Sequence, residues 1–118
     1  MGIARAFCYA ALIVSATPAS GQDSDIWVTG NGLLRTCEST DRNAMVACAA
    51  YIEGVAAGIN IGSVGAGKQH FCMPRGVTVQ QTRDVVVKEL RKNPETRHII
   101  STALIGGILR TAYPCRRK

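Results

Sequence analysis

The segment 72–115 constrains the fold more than any other part of this chain, because it begins and ends with a cysteine and predicts two helices between them. Thr78 and Gln81 have the spacing of a capping box, in which each side chain accepts a hydrogen bond from the other residue's backbone N–H. This pair predicts a helix that begins at Thr78 and ends near Lys92. The apolar residues near one face of this helix are Val79, Val86 and Leu90.

A second helix is predicted to begin directly after the first one. Asn93 is a favourable N-cap residue, and Pro94 suits the first helical position, where its missing N–H is not needed. Pro114 is predicted to end this helix. The turn between the helices is so short that they form an antiparallel hairpin, whose open ends carry the two cysteines. The predicted buried stripe of the second helix consists of Ile100, Ala103, Leu104, Gly107 and Ile108.

The stretch 42–62 predicts another long helix with Asp41 as its N-cap, and 31–37 predicts a short helix before it. Each interior glycine of a helix costs about 1 kcal/mol relative to alanine, so we expect close packing of another backbone to offset the cost in the long helix. We favour packing of this helix against Gly106–Gly107 of the same chain. The alternative is packing against a second copy of the protein, which would form a homodimer. The small residues recur at four-residue intervals, namely Ala50, Gly54, Gly58 and Gly62. The apolar face of the same helix is predicted to contain Met45, Cys48, Ala49, Ile52, Ala56 and Ile59.

Residues 1–21 have the pattern of a secretory signal peptide, which leaves 22–118 as a single mature domain. Arg5 precedes an apolar run at 6–16, and small residues at 19–21 suit cleavage. A run of about 11 apolar residues is too short to cross a bilayer. We therefore expect an exported, periplasmic domain that has no membrane span once the signal is removed.

Export makes the cysteines informative, because disulfides form in oxidising compartments. Loss of Cys8 with the signal leaves four cysteines, for which three pairings exist. We favour Cys37 with Cys48 and Cys72 with Cys115, since each pair closes a loop between neighbouring elements. The sequence contains no Cys-x-x-Cys pair, which disfavours a zinc site.

Charge is divided unevenly along the chain. Residues 22–67 contain two arginines and five acidic residues, whereas residues 68–118 contain eleven basic and three acidic residues. A basic half of this kind is typical of nucleic-acid binding. Export and the scarcity of aromatic residues among the bases, which are only Phe71 and Tyr113, instead favour an acidic protein partner or an anionic envelope surface. A solvated helix face with a basic tail is the alternative.

Patterns for catalysis and cofactor binding are missing from the sequence. His70 and His98 are the only histidines, and oxidised cysteines leave neither of them a thiol to activate. The hairpin lacks paired carboxylates for acid–base hydrolysis. The sequence 62–68 has the Gly-x-x-x-x-Gly-Lys spacing of a phosphate-binding loop, but Gln69 stands where that motif requires Ser or Thr, and a helix precedes it. We therefore expect a glycine-rich surface loop, no cofactor and no enzymatic activity.

Several motifs, taken in order, resemble the Rap/Tai family of type VI secretion immunity proteins. Near the C-terminus they are Cys72-x-Pro-x-Gly-Val-Thr-x-x-Gln, Asn93-Pro-Glu and Tyr113-Pro-Cys; upstream they are Leu33-Leu34, Cys37 and Cys48-x-x-Tyr-Ile-x-Gly. The resemblance covers nearly the whole mature chain. It implies a small exported helical protein that binds a cell-wall-degrading effector toxin and neutralises it.

These patterns predict an all-α fold, a small bundle of about four helices with two disulfides and a C-terminal antiparallel hairpin. The alternative function is a periplasmic chaperone of the acid-stress type or another small envelope binding protein. The chaperone is disfavoured because such chaperones loosen at low pH, whereas this chain has only two histidines and its disulfides resist expansion. We expect the effector to bind where the charge of the chain changes from acidic to basic. The residues expected to bind it are Gly65, Lys68, Gln69, His70 and Arg75.

Overall fold

The computed structural model describes residues 29–116 of the chain. Within this range the chain forms four α-helices and no β-strand, and every helix contacts the other three. The helices are α1 (Gly30–Cys37), α2 (Arg42–Gly65), α3 (Val79–Lys92) and α4 (Ser101–Ala112). The predicted all-α fold with a C-terminal antiparallel hairpin is confirmed, with α3 and α4 as the hairpin. The predicted signal segment 1–21 lies outside the described residues.

Two predicted N-caps are confirmed, and they explain where α2 and α3 begin. Asp41 Oδ2 accepts a hydrogen bond from Ala44 N–H at 2.8 Å. Gln81 N–H donates to Thr78 Oγ1 at 3.1 Å, and Thr78 N–H donates to Gln81 Oε1 at 2.8 Å, which completes the capping box. These side chains satisfy N–H groups that a helix leaves without partners in its first turn.

The predicted start of the second hairpin helix at Asn93 is wrong. Pro94–Thr96 forms a single 3-10 turn, and α4 begins only at Ser101. With 12 residues, α4 is shorter than α3, which has 14. The two helices are therefore joined by an irregular connection at 93–100.

The N-terminus of α1 explains why this connection is not helical. Gly30 N–H donates to Ile99 O at 3.0 Å, and Asn31 N–H donates to Arg97 O at 2.8 Å. Both donors lie in the first turn of α1, where a helix has no acceptors of its own. They bind carbonyls that the predicted helix would have used internally, so a contact with a distant segment overrides the local helix signal.

The later start of α4 changes which of its residues are buried. The predicted stripe began at Ile100, but Ile100 lies in an isolated β-bridge and is 52% exposed. Ala103 of the same stripe is exposed as well. Leu104 and Ile108 pack against the core while remaining partly accessible. The residues that α4 buries are Ser101, Ile105 and Leu109.

The face that α3 presents to the core overlaps the predicted one. Val86 and Leu90 are buried as predicted, whereas Val79 is exposed. Thr82 and Val87 are buried in addition. The face therefore begins one turn later than the apolar pattern indicated, because the polar Thr82 occupies a core position and donates its hydroxyl hydrogen to the carbonyl of Thr78 at 3.1 Å.

Both predicted disulfides are present. Cys37–Cys48 joins α1 to α2, with the two Cα atoms 5.1 Å apart, and both cysteines belong to the hydrophobic core. Cys72–Cys115 joins the segment before α3 to the segment after α4, with the Cα atoms 4.9 Å apart. Beside it, Cys72 N–H donates to Tyr113 O at 2.8 Å. The open end of the hairpin is thus closed by a covalent bond and a backbone hydrogen bond.

The predicted packing of the glycine row of α2 against α4 is wrong. A side chain at Gly54, Gly58 or Gly62 would meet no atom within 4 Å. Ile59 is one of the α2 residues that contact α4 instead, since a Cβ at Gly106 would lie 3.1 Å from Ile59 Cδ1. The row therefore lies on the face of α2 that points away from the bundle.

That face, which we call the exposed α2 face, contains no charged residue. Three of its larger apolar side chains, Val46, Ile61 and Val64, are 63%, 74% and 72% exposed. By length and composition α2 could also cross a membrane, a property shared by core helices of water-soluble proteins, and its opposite side supplies Cys48 and Ile52 to the core. The exposed α2 face consists of Val46, Ala50, Gly54, Ala57, Gly58, Ile61, Gly62 and Val64.

Candidate partner-binding surface

The five residues predicted to bind a partner lie near the end of the bundle that the Cys72–Cys115 disulfide closes. The C-terminus of α2, the N-terminus of α3 and the C-terminus of α4 meet there. Phe71 follows the loop after α2 and is only 1% exposed. Because Phe71 and Cys72 are both fixed to the bundle, the exposed loop that precedes them is held at its C-terminal end.

The turn after α2 is a helix cap and not a phosphate-binding loop. Gly67 has φ +68°, a left-handed conformation that favours glycine. Its N–H donates to Val64 O at 3.3 Å, and Lys68 N–H donates to Ser63 O at 3.2 Å. This pair of bonds defines a Schellman motif, which satisfies the last carbonyls of a helix. The glycine-rich loop predicted from Gly62 is correspondingly shorter, because α2 continues to Gly65.

Gln69 lies directly over the disulfide. Its Oε1 is 3.3 Å from Cys72 Sγ, and its backbone oxygen is 3.9 Å from Cys115 Sγ. Oxidised sulfur atoms carry no hydrogen, so these are packing contacts. The loop is therefore supported by the disulfide in addition to the helix cap, while the side chains of Lys68, Gln69 and His70 remain exposed.

Arg75 lies in a separate turn before α3. Val77 N–H donates to Pro74 O at 3.4 Å, and Gly76 adopts φ +89°, which lets the chain reverse between them. The Arg75 side chain is exposed. It extends the predicted surface to the α3 side of the disulfide.

This end of the molecule is strongly basic. The two ion pairs formed within residues 29–116 are Arg91–Glu38 at 2.6 Å and Lys92–Glu89 at 3.3 Å, and both lie near the opposite end of α3. Among the described residues, the acidic residue near the disulfide end is Asp84. The basic residues there are Lys68, Arg75, Arg83, Arg110 and Arg116. A surface with this excess of positive charge favours an acidic partner.

Sequence reasoning missed a groove between α2 and α4 that adjoins this surface. Its volume is about 290 Å³, and it is lined by His70, Arg110, Ile59, Thr102, Ala103, Gly106 and Gly107. His70 belonged to the predicted set, whereas Arg110 did not. The adjacent glycines 106 and 107 were a signal for a groove, but they were assigned to packing against the glycine row of α2.

The histidines and cysteines among the described residues are not gathered into one cluster. No cluster of three or more His, Cys, Asp or Glu side chains that could hold a metal ion occurs within residues 29–116. His70 lies at the disulfide end and His98 in the connection at the other end of the hairpin. The four cysteines are oxidised. What this end of the molecule offers chemically is a positively charged surface beside a partly apolar groove.

Fold and surface together define a small disulfide-linked helical domain with a basic, grooved end. The family model for Rap1a immunity proteins matches residues 29–115, and the chain belongs to this family. The resemblance based on the cysteine and helix motifs is thereby confirmed. No curated protein and no solved structure matches the chain.

Proposed function

We propose that this protein is an exported immunity protein that binds a cell-wall-degrading effector of type VI secretion and neutralises it by stoichiometric binding, without enzymatic activity. The observation that carries this proposal is the family match over residues 29–115, which spans nearly all of the described bundle. The two disulfides support an oxidising compartment, here the periplasm.

The basic surface at the disulfide end supports a location for effector binding. Its proposed contacts include Gly65, Lys68, Gln69, His70 and Arg75, and its charge favours an acidic patch on the toxin. Exposed charges of this kind accelerate encounter more than they slow dissociation. We therefore expect Lys68→Glu combined with Arg75→Glu to lower the association rate and weaken its salt dependence, while the dissociation rate changes little.

The immunity function predicts that a toxin gene lies beside the gene for this protein, and the test uses that toxin. Directed to the periplasm, the toxin should lyse cells that lack this protein and spare cells that produce it, and the two purified proteins should form a complex. Equal killing with and without this protein, together with no complex, would refute the immunity function. Suppression of client-protein aggregation after acid treatment, without toxin binding, would favour the chaperone alternative.

We also propose that a second copy of the protein covers the exposed α2 face. The face is about 27 Å long, from Val46 to Val64, and its eight residues are uncharged, with the partly exposed Glu53 at its border, in a protein whose formal net charge is +6. Two copies related by a two-fold axis could therefore approach there without repulsion, and the glycines would allow close contact of the helices. Sedimentation equilibrium should show a dimer that Ile61→Asp dissociates; a monomeric wild-type protein at high concentration would refute this arrangement.

A further inference from the structure

The groove between α2 and α4 combines an apolar floor with one arginine and one histidine at its rim. Ile59, Ala103 and Gly106 provide carbon atoms on its floor, while His70 and Arg110 lie at its margin. Among the described residues, no acidic side chain lines the groove. Arg110 carries a positive charge without an acidic partner in the groove, which makes the groove complementary to a carboxylate that arrives on a partner.

The floor of the groove is held in place by the core. Ile105 and Leu109 are fully buried and fix the rotation of α4 about its axis. The hydroxyls of Tyr51 and Ser101 are 2.8 Å apart and share a hydrogen bond that ties the start of α4 to α2. Ile59 Cδ1 lies close to the α4 backbone at Gly106. The groove therefore exists before a partner binds, which reduces the entropy lost on association.

His70 is held at the rim through its backbone. The next residue, Phe71, is buried, and Cys72 is bound to α4's end through both its N–H and its sulfur. Arg110 projects from the last turn of α4, on the residue that follows the buried Leu109. Both side chains are exposed, so they reach a partner while their backbones stay fixed.

Gly107 lines both this groove and the neighbouring α3–α4 groove, and its position carries no side chain. Gly107 has no atom within 4 Å of the position that a Cβ would occupy. Glycine in the interior of a helix is unfavourable relative to alanine, and the fold itself offers no steric reason for glycine here. An empty position that lines a groove is what insertion of a partner's side chain requires.

We propose that this groove receives an acidic side chain of the bound toxin, with Arg110 and His70 on either side of its carboxylate and Gly107 leaving room for its carbon chain. The proposal rests on the proposed function, since the toxin is the partner. It adds Arg110 to the binding surface. It also assigns the groove an effect on the dissociation rate of the toxin, whereas Lys68 and Arg75 mainly affect the association rate. A carboxylate held in a partly desolvated groove slows dissociation, whereas exposed rim charges mainly accelerate association.

A first experiment tests the groove without the toxin. Wild-type protein labelled with ¹⁵N is titrated with the tripeptide N-acetyl-Ala-Glu-Ala-amide and, separately, with its glutamine analogue. The acidic peptide should shift the amide resonances of His70, Gly107 and Arg110, and the glutamine peptide should shift them much less. Equal shifts for the two peptides, or no shifts at the groove, would overturn the proposal.

A second experiment uses the complex with the toxin. Arg110→Glu should increase the dissociation rate on the order of 30-fold or more. Lys88→Glu is the matched control, because it reverses the same charge on an exposed residue that lines the neighbouring α3–α4 groove, and it should change the rate by less than about threefold. A dissociation rate that Arg110→Glu leaves unchanged in a complex that still forms would overturn the groove while the immunity function stands. Failure of the wild-type proteins to form any complex would overturn both.

Gly107→Met separates binding from folding. The methionine should fill the groove and speed dissociation of the toxin at least tenfold, while the melting temperature stays the same or rises, because the new side chain meets no atom and glycine is replaced by a better helix former. Unchanged dissociation from this variant would contradict the proposal. A lower melting temperature with unchanged dissociation would contradict it equally, since it would assign Gly107 to packing.

Discussion

Replacement of Gly58 by alanine is expected to stabilise the folded monomer. Gly58 lies in the interior of α2, and a Cβ there would meet no atom within 4 Å. The mutation therefore removes the helix-propensity penalty of glycine without creating a clash, which raises the free energy of unfolding by about 1 kcal/mol. For a domain of this size, that gain corresponds to a melting temperature higher by about 4–8 °C.

Gly54 and Gly62 occupy equivalent open positions one turn away on either side. The triple alanine variant should therefore gain about 2–3 kcal/mol, because the added methyl groups do not contact a common partner. Urea unfolding of dilute protein, followed by circular dichroism, measures these differences while self-association is minimal. The slope of the unfolding free energy with urea should stay constant, which would show that stability alone has changed.

Two other glycines provide controls with the opposite sign. Gly67→Ala should lose about 1 kcal/mol, because Gly67 caps α2 with φ +68°. Gly30→Ala should lose more, since a Cβ at Gly30 would lie 2.5 Å from Leu104 Cδ1 and 3.1 Å from the backbone of Arg97. A general effect of alanine on stability would not reproduce this order.

Loss of stability in Gly58→Ala at low protein concentration would refute the reasoning, because it would require a backbone packed against the row within one chain. The same variant also tests the proposed dimer. Added methyl groups should weaken self-association of concentrated protein even as they stabilise the monomer. Higher stability with unchanged self-association would leave the monomer argument intact and refute the second copy on the exposed α2 face.

Three further predictions concern the bonds that hold the bundle. From loop closure alone, replacing Cys72 and Cys115 by serine should lower the free energy of unfolding by about 4 kcal/mol, and replacing Cys37 and Cys48 should lower it by about 3 kcal/mol. Urea unfolding measures both losses. Equal losses would show that burial of the Cys37–Cys48 disulfide compensates for its smaller loop. Mild reductant should open Cys72–Cys115 first, because both of its cysteines are partly accessible while the other pair is buried; mass mapping of alkylated cysteines that finds the buried pair opened first would contradict this. Arg97→Ala should lower the free energy of unfolding by about 1–3 kcal/mol, because the Arg97 side chain donates hydrogen bonds to the carbonyls of residues 90 and 91 at 2.5 and 2.8 Å. A melting temperature equal to that of Arg91→Ala would show that these bonds are dispensable.

Local signals in the sequence predicted the parts of the fold that local interactions determine. The caps at Asp41 and Thr78 each act within three residues, so their spacing alone placed the starts of α2 and α3. The disulfide pairing followed from the closure of neighbouring elements. The start of α4 could not be predicted in this way, because the carbonyl of Arg97 bonds to Asn31, a residue far away in the chain.

The candidate surface shows the same division. The change of charge near Lys68 was visible in the sequence, and the folded chain gathers basic residues at that end. Arg110 was not included, because its position beside His70 depends on α4 returning to the disulfide end and on the rotation that Leu109 fixes. The glycine row was visible too, but four-residue spacing cannot tell which side of a helix faces the bundle.

Covalent links also explain how so small a domain can leave much apolar surface uncovered. The free energy of unfolding of a folded domain is about 5–15 kcal/mol. Loop closure by the two disulfides contributes about 3 and 4 kcal/mol, so their sum is comparable to the whole stability of such a domain. Cys37–Cys48 and Cys72–Cys115 tie both ends of the bundle, so α2 holds its place while burying little more than Cys48, Ile52 and Ala56 in the hydrophobic core. Its opposite side is then available to the proposed second copy, and the groove beside α4 is available to the proposed toxin. On this argument, reduced protein should lose partner binding and folding together, whereas Gly107→Met should separate the two.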